Sequence, residues 1–170
     1  ASGGDALLTL DRNGWLSRRN GLRFQKTETL FQVDPNPKEV RFSKDQRWLA
    51  THTETGEIKI WDISQGKWSC DLPLTNGPVS LGSFLTDASK LAVWNTNALT
   101  LTLYDVAAGH PAASWSYADS GAGRVEIPND GRWCLTRGAD GTGQIRELSN
   151  GRVVGSVPLA GSLRGTFSPD

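Results

Sequence analysis

Apolar and polar side chains alternate along this chain in short bursts, each bounded by turn residues. In Gly56-Glu57-Ile58-Lys59-Ile60-Trp61-Asp62 a turn glycine leads into a period-two segment, and the run from Ala98 to Tyr104 places Leu99, Leu101 and Leu103 on one face. Successive side chains of a strand point to opposite faces, so such runs predict strands buried on one side. Turn signals recur about every 8–12 residues, which favours an all-β fold. No segment has a convincing helical period.

The bursts fall into a repeat. VRFSKDQRW has kin in GSFLTDASK, VEIPNDGRW and the terminal GTFSPD. Their apolar residues Phe42, Phe84, Ile127 and Phe167 lie 42, 43 and 40 residues apart, and the turn aspartates Asp45, Asp87, Asp130 and Asp170 keep the same spacing. One period held by two residue classes marks tandem structural units. Each unit reads as four short strands. An inner strand ends in the apolar residue, and a second follows the Asp turn at 48–51, 90–93 and 133–136. The third has the period-two pattern, and the fourth follows a turn ending in Gly66, Gly109 or Gly151. Glycine suits that turn because a tight hairpin needs positive φ.

These residues resemble the WD-repeat family. The unit VRFSKDQRWLATHTETGEIKIWDISQGK carries that family's turn Asp, turn Gly and Trp-Asp pair, and Tyr104-Asp105 and Arg146-Glu147 stand at the pair's place in the next two units. The resemblance implies an all-β β-propeller of four-stranded antiparallel blades. Whole blades are expected over 36–72, 76–117 and 121–158, and an incomplete one over 5–30. The stretch 161–170 is expected to be an inner strand of a composite or following blade. That makes about four blade units, one shared between the termini. The only Gly-His pair, Gly109-His110, falls before a fourth strand rather than between blades. The family's buried Asp-His-Ser-Trp network is therefore not expected, and apolar packing with seven tryptophans is expected to hold the blades instead.

Propellers of four to eight blades occur, and this family usually closes at seven or more. Three closures stay open: further blades in a longer parent chain, two copies paired head to tail into an eight-bladed ring, or a self-closed four-bladed ring. The absence of methionine, even at the start, favours a piece of a longer chain.

Composition narrows the function. The 18 basic and 18 acidic residues balance, which argues against binding nucleic acid or an anionic membrane through bulk charge. No apolar run approaches the roughly 20 residues of a membrane helix. No signal-peptide pattern opens the chain, and Cys70 and Cys134 read as free thiols of a reducing compartment, so a cytoplasmic location is expected.

Chemistry is sparse. GADGTGQ lacks the Lys-Ser/Thr of a phosphate loop, no Gly-x-Ser-x-Gly elbow occurs, and His52 and His110 lie too far apart for a His-rich metal centre. Glu39, Arg41, Glu126 and Arg164 on the expected inner strands form a mixed-charge set suited to pairing rather than catalysis. No catalytic residue, cofactor or metal is expected.

In the resembled architecture, loops from second to third strands share one face of the disc. His52, Trp94 and Arg137 occupy equivalent places, 42 and 43 residues apart, and differ in type, so repeat packing is not expected to dictate them. With Asn95 and Asp140 they form the expected partner-binding set, with Trp94 foremost because Trp and Arg are frequent at hot spots. Arg18-Arg19 is a second candidate.

The function implied is a non-catalytic WD-repeat scaffold for protein–protein interaction. Its partner would be another protein, other domains of the parent chain, or a second copy. Two alternatives stand beside it. One is a sensory or regulatory propeller of a larger bacterial signalling ATPase or kinase; the other is a propeller enzyme with a central-channel site.

Overall fold

The computed structural model describes residues 6–20, 26–73, 77–117, 125–128, 131–137 and 140–158, and every regular element among them is a strand. β1 (Leu7–Leu10), β2 (Trp15–Asn20) and β3 (Lys26–Gln32) form a three-stranded first sheet. β4 (Glu39–Phe42), β5 (Trp48–His52), β6 (Ile58–Asp62) and β7 (Lys67–Asp71) form the second. The third holds β8 (Val79–Phe84), β9 (Lys90–Asn95), β10 (Thr100–Asp105) and β11 (Pro111–Ser116). The fourth holds β12 (Val125–Glu126), β13 (Trp133–Arg137), β14 (Thr142–Glu147) and β15 (Val153–Pro158). Each is an antiparallel meander in chain order.

The units expected at 36–72, 76–117 and 121–158 each contain one four-stranded sheet, whereas the third strand of the first sheet runs to Gln32, past the expected bound at 30. The strand expected over 161–170, with Arg164, Phe167 and Asp170, lies outside the described residues, as does the turn residue Asp130.

Turn chemistry sets the strand ends. The Oδ1 of Asp62 accepts the Gln65 N–H at 3.1 Å, and that of Asp105 accepts the N–H groups of Ala107 at 3.0 Å and Ala108 at 2.9 Å. The Asp of the Trp-Asp and Tyr-Asp pairs therefore closes the hairpin that follows it, by mimicking a backbone turn. Gly131 is demanded twice over. Its φ is +62°, and a Cβ there would lie 1.8 Å from the Phe84 carbonyl oxygen of the preceding sheet.

Each sheet packs one face on the next, giving three cores. Leu16 and Val33 of the first sheet and its trailing segment meet Leu49, Trp61 and Ile63. On the opposite side of the second sheet, Trp48, Ala50, Ile58, Ile60 and Leu72 meet Phe84, Leu91, Val93 and Tyr104. Ala92, Trp94, Leu101 and Leu103 then meet Cys134 and Leu148. The alternating register produces this two-faced burial: Leu49, Leu91 and Cys134 face backward, while Ala50, Ala92 and Leu135 face forward.

Phe42 shows what the first sheet lacks. Phe84 and Ile127, at the matching places, pack into the second and third cores, whereas Phe42 is 36% exposed. Phe42 faces the first sheet, where no inner strand precedes β1 among the described residues.

Hydrogen bonds between the second and third strands supplement the apolar packing. The Trp61 indole Nε1 donates to Thr51 Oγ1 at 3.0 Å, both groups buried. In the fourth sheet Arg146 Nε reaches Thr136 Oγ1 at 3.4 Å from the same positions. In the third sheet the places are held by Tyr104 and Val93, and the Tyr104 hydroxyl donates instead to the Pro73 carbonyl at 3.1 Å.

Candidate interaction surface

The expected partner-binding residues do not form one exposed loop set. His52 ends β5 at 3% exposure, and Trp94 and Asn95 lie within β9 at 5% each. Arg137 and Asp140 are exposed. The second strands run further than the turn residues suggest, and their last residues still pair on both sides: His52 with Glu39 and Ile58, Asn95 with Val79 and Thr100.

The position shared by His52, Trp94 and Arg137 lies on the forward face of its sheet. Where a sheet follows, the side chain is covered. Trp94 packs into the third core against Tyr117, ring centroids 5.9 Å apart. His52 Nδ1 is buried 3.7 Å from Glu39 Oε2. Arg137 belongs to the last described sheet and is open. Residue variety at this site therefore reflects three different surroundings rather than freedom from packing. Asn95 has a turn role: its Oδ1 accepts the N–H groups of Asn97 at 3.1 Å and Ala98 at 2.9 Å.

A cleft of about 360 Å³ lies between the inner strands β4, β8 and β12, with Glu39, Arg41, Trp94 and Glu126 in its wall. Its charged groups are engaged in structure. Arg41 donates from Nε to the Gly82 carbonyl at 3.0 Å and from Nη2 to the Leu81 carbonyl at 3.2 Å. Glu39 Oε2 accepts the Leu81 N–H at 2.6 Å. Glu39 and Arg41 thus bond to backbone rather than to each other, and they stitch the inner strand of the second sheet to that of the third by charge-assisted hydrogen bonds; Arg164 of the same expected set lies outside the described residues. Next to it, a Cβ on Gly82 would meet Ile127 Cδ1 at 2.7 Å, so glycine permits the close approach of β8 and β12.

Reactive groups are muted. Burial pushes the Cys134 thiol up to about 11, against the lowering influence of Arg146. Burial also raises the Tyr117 hydroxyl well above its ordinary range. Neither group is poised as a nucleophile or base near neutral pH. Among the described residues no cluster of three or more His, Cys, Asp or Glu side chains could hold a metal ion, and no helix is long and apolar enough to cross a membrane.

What remains is an apolar face. Trp133, Leu135, Ile145 and Val157 lie on the forward side of the fourth sheet, in rows shared with Arg137, and none belongs to a buried cluster. Val157 is 37% exposed, and the Arg132 guanidinium lies 4.8 Å from the Trp133 ring centroid. At the other end, Leu7 and Trp15 are 44% and 43% exposed on the face of the first sheet opposite its core. Sequence reasoning missed this surface because the residues have the same types as buried ones; only their place in the last described sheet leaves Val157 exposed and Trp133, Leu135 and Ile145 half-buried. Comparison with protein-family models and with curated proteins produced no match.

Proposed function

We propose that the sheets are blades of a WD-type propeller arc, and that the chain is a non-catalytic platform for protein–protein interaction. The first sheet is the incomplete blade, to be finished by an inner strand such as 161–170. The observation that carries the functional reading is the apolar forward face of the fourth sheet with Arg137 beside it, held on a stacked and hydrogen-bonded frame. Half-buried apolar residues with an exposed valine and an arginine beside them are a usual make-up of a protein-binding site. The engagement of Glu39 and Arg41 with backbone weighs against a channel active site.

Capture from native lysate by the immobilised chain, wild type and Arg137→Glu, tests the reading. A partner identified by mass spectrometry and purified should bind the charge-reversed variant at least about tenfold more weakly. Equal retention of every captured protein by a folded Arg137→Glu/Ile145→Asp variant would refute the platform assigned to this face.

A further inference from the structure

Among the described residues, the forward face of the fourth sheet and the backward face of the first have no sheet packed on them, and their residues match. Trp133, Leu135, Arg137, Ile145 and Val157 each stand 85 residues after Trp48, Ala50, His52, Ile60 and Leu72. All five earlier residues are buried between the second and third sheets, four of them in the apolar core. The cross-strand registers coincide as well: Trp133 pairs Glu147 and Leu135 pairs Ile145, as Trp48 pairs Asp62 and Ala50 pairs Ile60. The fourth sheet thus carries a complete forward face with no described sheet upon it.

The first sheet carries the matching backward face. Leu7 lies across from Arg19 as Leu49 lies across from Trp61, Leu91 from Tyr104 and Cys134 from Arg146. Thr9 lies across from Ser17 as Thr136 lies across from Gln144. In the three later sheets these positions receive the forward face of the sheet before. In the first, Leu7 is 44% exposed.

We infer that a second copy of this chain docks head to tail, the fourth sheet of one copy covering the first sheet of the other. The inference rests on the blade-arc reading above. A second copy is the occupant the residues favour, because one chain supplies both halves in the register that its three internal cores already use. Such a contact is heterologous: it closes into a ring when two copies satisfy both ends and extends into an array when they do not. Apolar sheet faces of this kind left open invite association.

Light scattering and sedimentation velocity on the pure chain test the inference. Assemblies of at least twice the 18.4 kDa chain mass are expected for the wild type. Val157→Asp on the forward face and Leu7→Asp on the backward face should each weaken association about tenfold or more, since each buries an unpaired carboxylate in apolar contact. Both side chains are exposed, so folding should survive; if circular dichroism shows otherwise, Val157→Ser and Leu7→Ser replace them. Mixing the two variants should restore a heterodimer, because each retains the half the other lost. A wild type of single-chain mass at the highest soluble concentration overturns the inference, and so does a dimer insensitive to both substitutions. A monomer that still captures a foreign partner through Arg137 overturns self-docking while leaving the platform standing.

Discussion

The buried contact between Trp61 and Thr51 yields the sharpest test of how the second sheet is held. Trp61 is 8% exposed, its ring centroid lies 6.1 Å from that of Phe31, and its indole N–H donates to a hydroxyl that is fully buried. Thr51→Val keeps the shape but strands the indole N–H in a dry site, at about 1–3 kcal/mol. Trp61→Phe removes the donor, strands the Thr51 hydroxyl at a similar cost, and adds a smaller loss for the missing ring volume. Combining them removes both polar groups at once. The double variant should therefore cost less than the sum of the singles, with a coupling of about 1–2 kcal/mol. The third sheet supplies a natural precedent: Val93 stands in the place of Thr51, is 3% exposed and packs in the core. Urea unfolding of the four proteins, followed by circular dichroism and by tryptophan fluorescence, gives the cycle. Additivity within about 0.3–0.5 kcal/mol would refute the argument, because the two groups would then contribute independently.

Trp94→Ala should destabilise by about 3–5 kcal/mol in the same assay, since the ring fills the core between the third and fourth sheets; near-neutral stability would return Trp94 to the surface. Gly131→Ala should cost about 2–4 kcal/mol through its clash with the Phe84 carbonyl and its positive φ. Gly56→Ala, with φ +91° but nothing within 4 Å, should cost about 1 kcal/mol; equal losses at both sites would show that the close approach plays no part. Burial pushes the Asp62 carboxyl up, but the Ser64 hydroxyl, the Gln65 N–H and Arg47 together outweigh burial and hold it below its ordinary value of 3.8. Its contribution is thus present above that value and lost as pH falls through the depressed one. The urea midpoint should drop below about pH 4, and the gap between wild type and Asp62→Asn should close there; a pH-independent gap would contradict this.

Much of the fold could be read from residues because the repeat is enforced by local chemistry. Turn aspartates and glycines fix hairpins whatever the neighbours do, and the period-two pattern of Ile58 to Trp61 or Leu101 to Leu103 fixes a buried face. The three strands of the first sheet among the described residues were legible for the same reason. The Trp61–Thr51 hydrogen bond was not expected from the sequence, because a threonine and a tryptophan ten residues apart become partners only once their strands pair. The surface was harder. His52, Trp94 and Arg137 hold one position, and nothing local says that two are covered and one is open. That depends on whether a sheet follows, which is a fact about stacking rather than about any window of sequence.

The same dependence explains why equivalent pairs on the second and third strands of successive sheets differ in type within this chain. Trp61 with Thr51, Tyr104 with Val93, and Arg146 with Thr136 occupy equivalent places yet use an indole hydrogen bond, a phenol directed to the Pro73 carbonyl, and a guanidinium. Each set has only to suit the one sheet that meets it: Phe31 lies against Trp61, and Tyr117 lies 5.0 Å beneath the Arg146 guanidinium. Interfaces that share geometry but differ in chemistry can discriminate between neighbours, because a face placed on the wrong sheet strands a polar group in an apolar site. Sheet order is therefore specified twice, by chain connection and by side-chain match. In the docking inferred above only the match would act, and it would bring Arg137 of the fourth sheet, exposed among the described residues, to the face of the first sheet that carries Arg19.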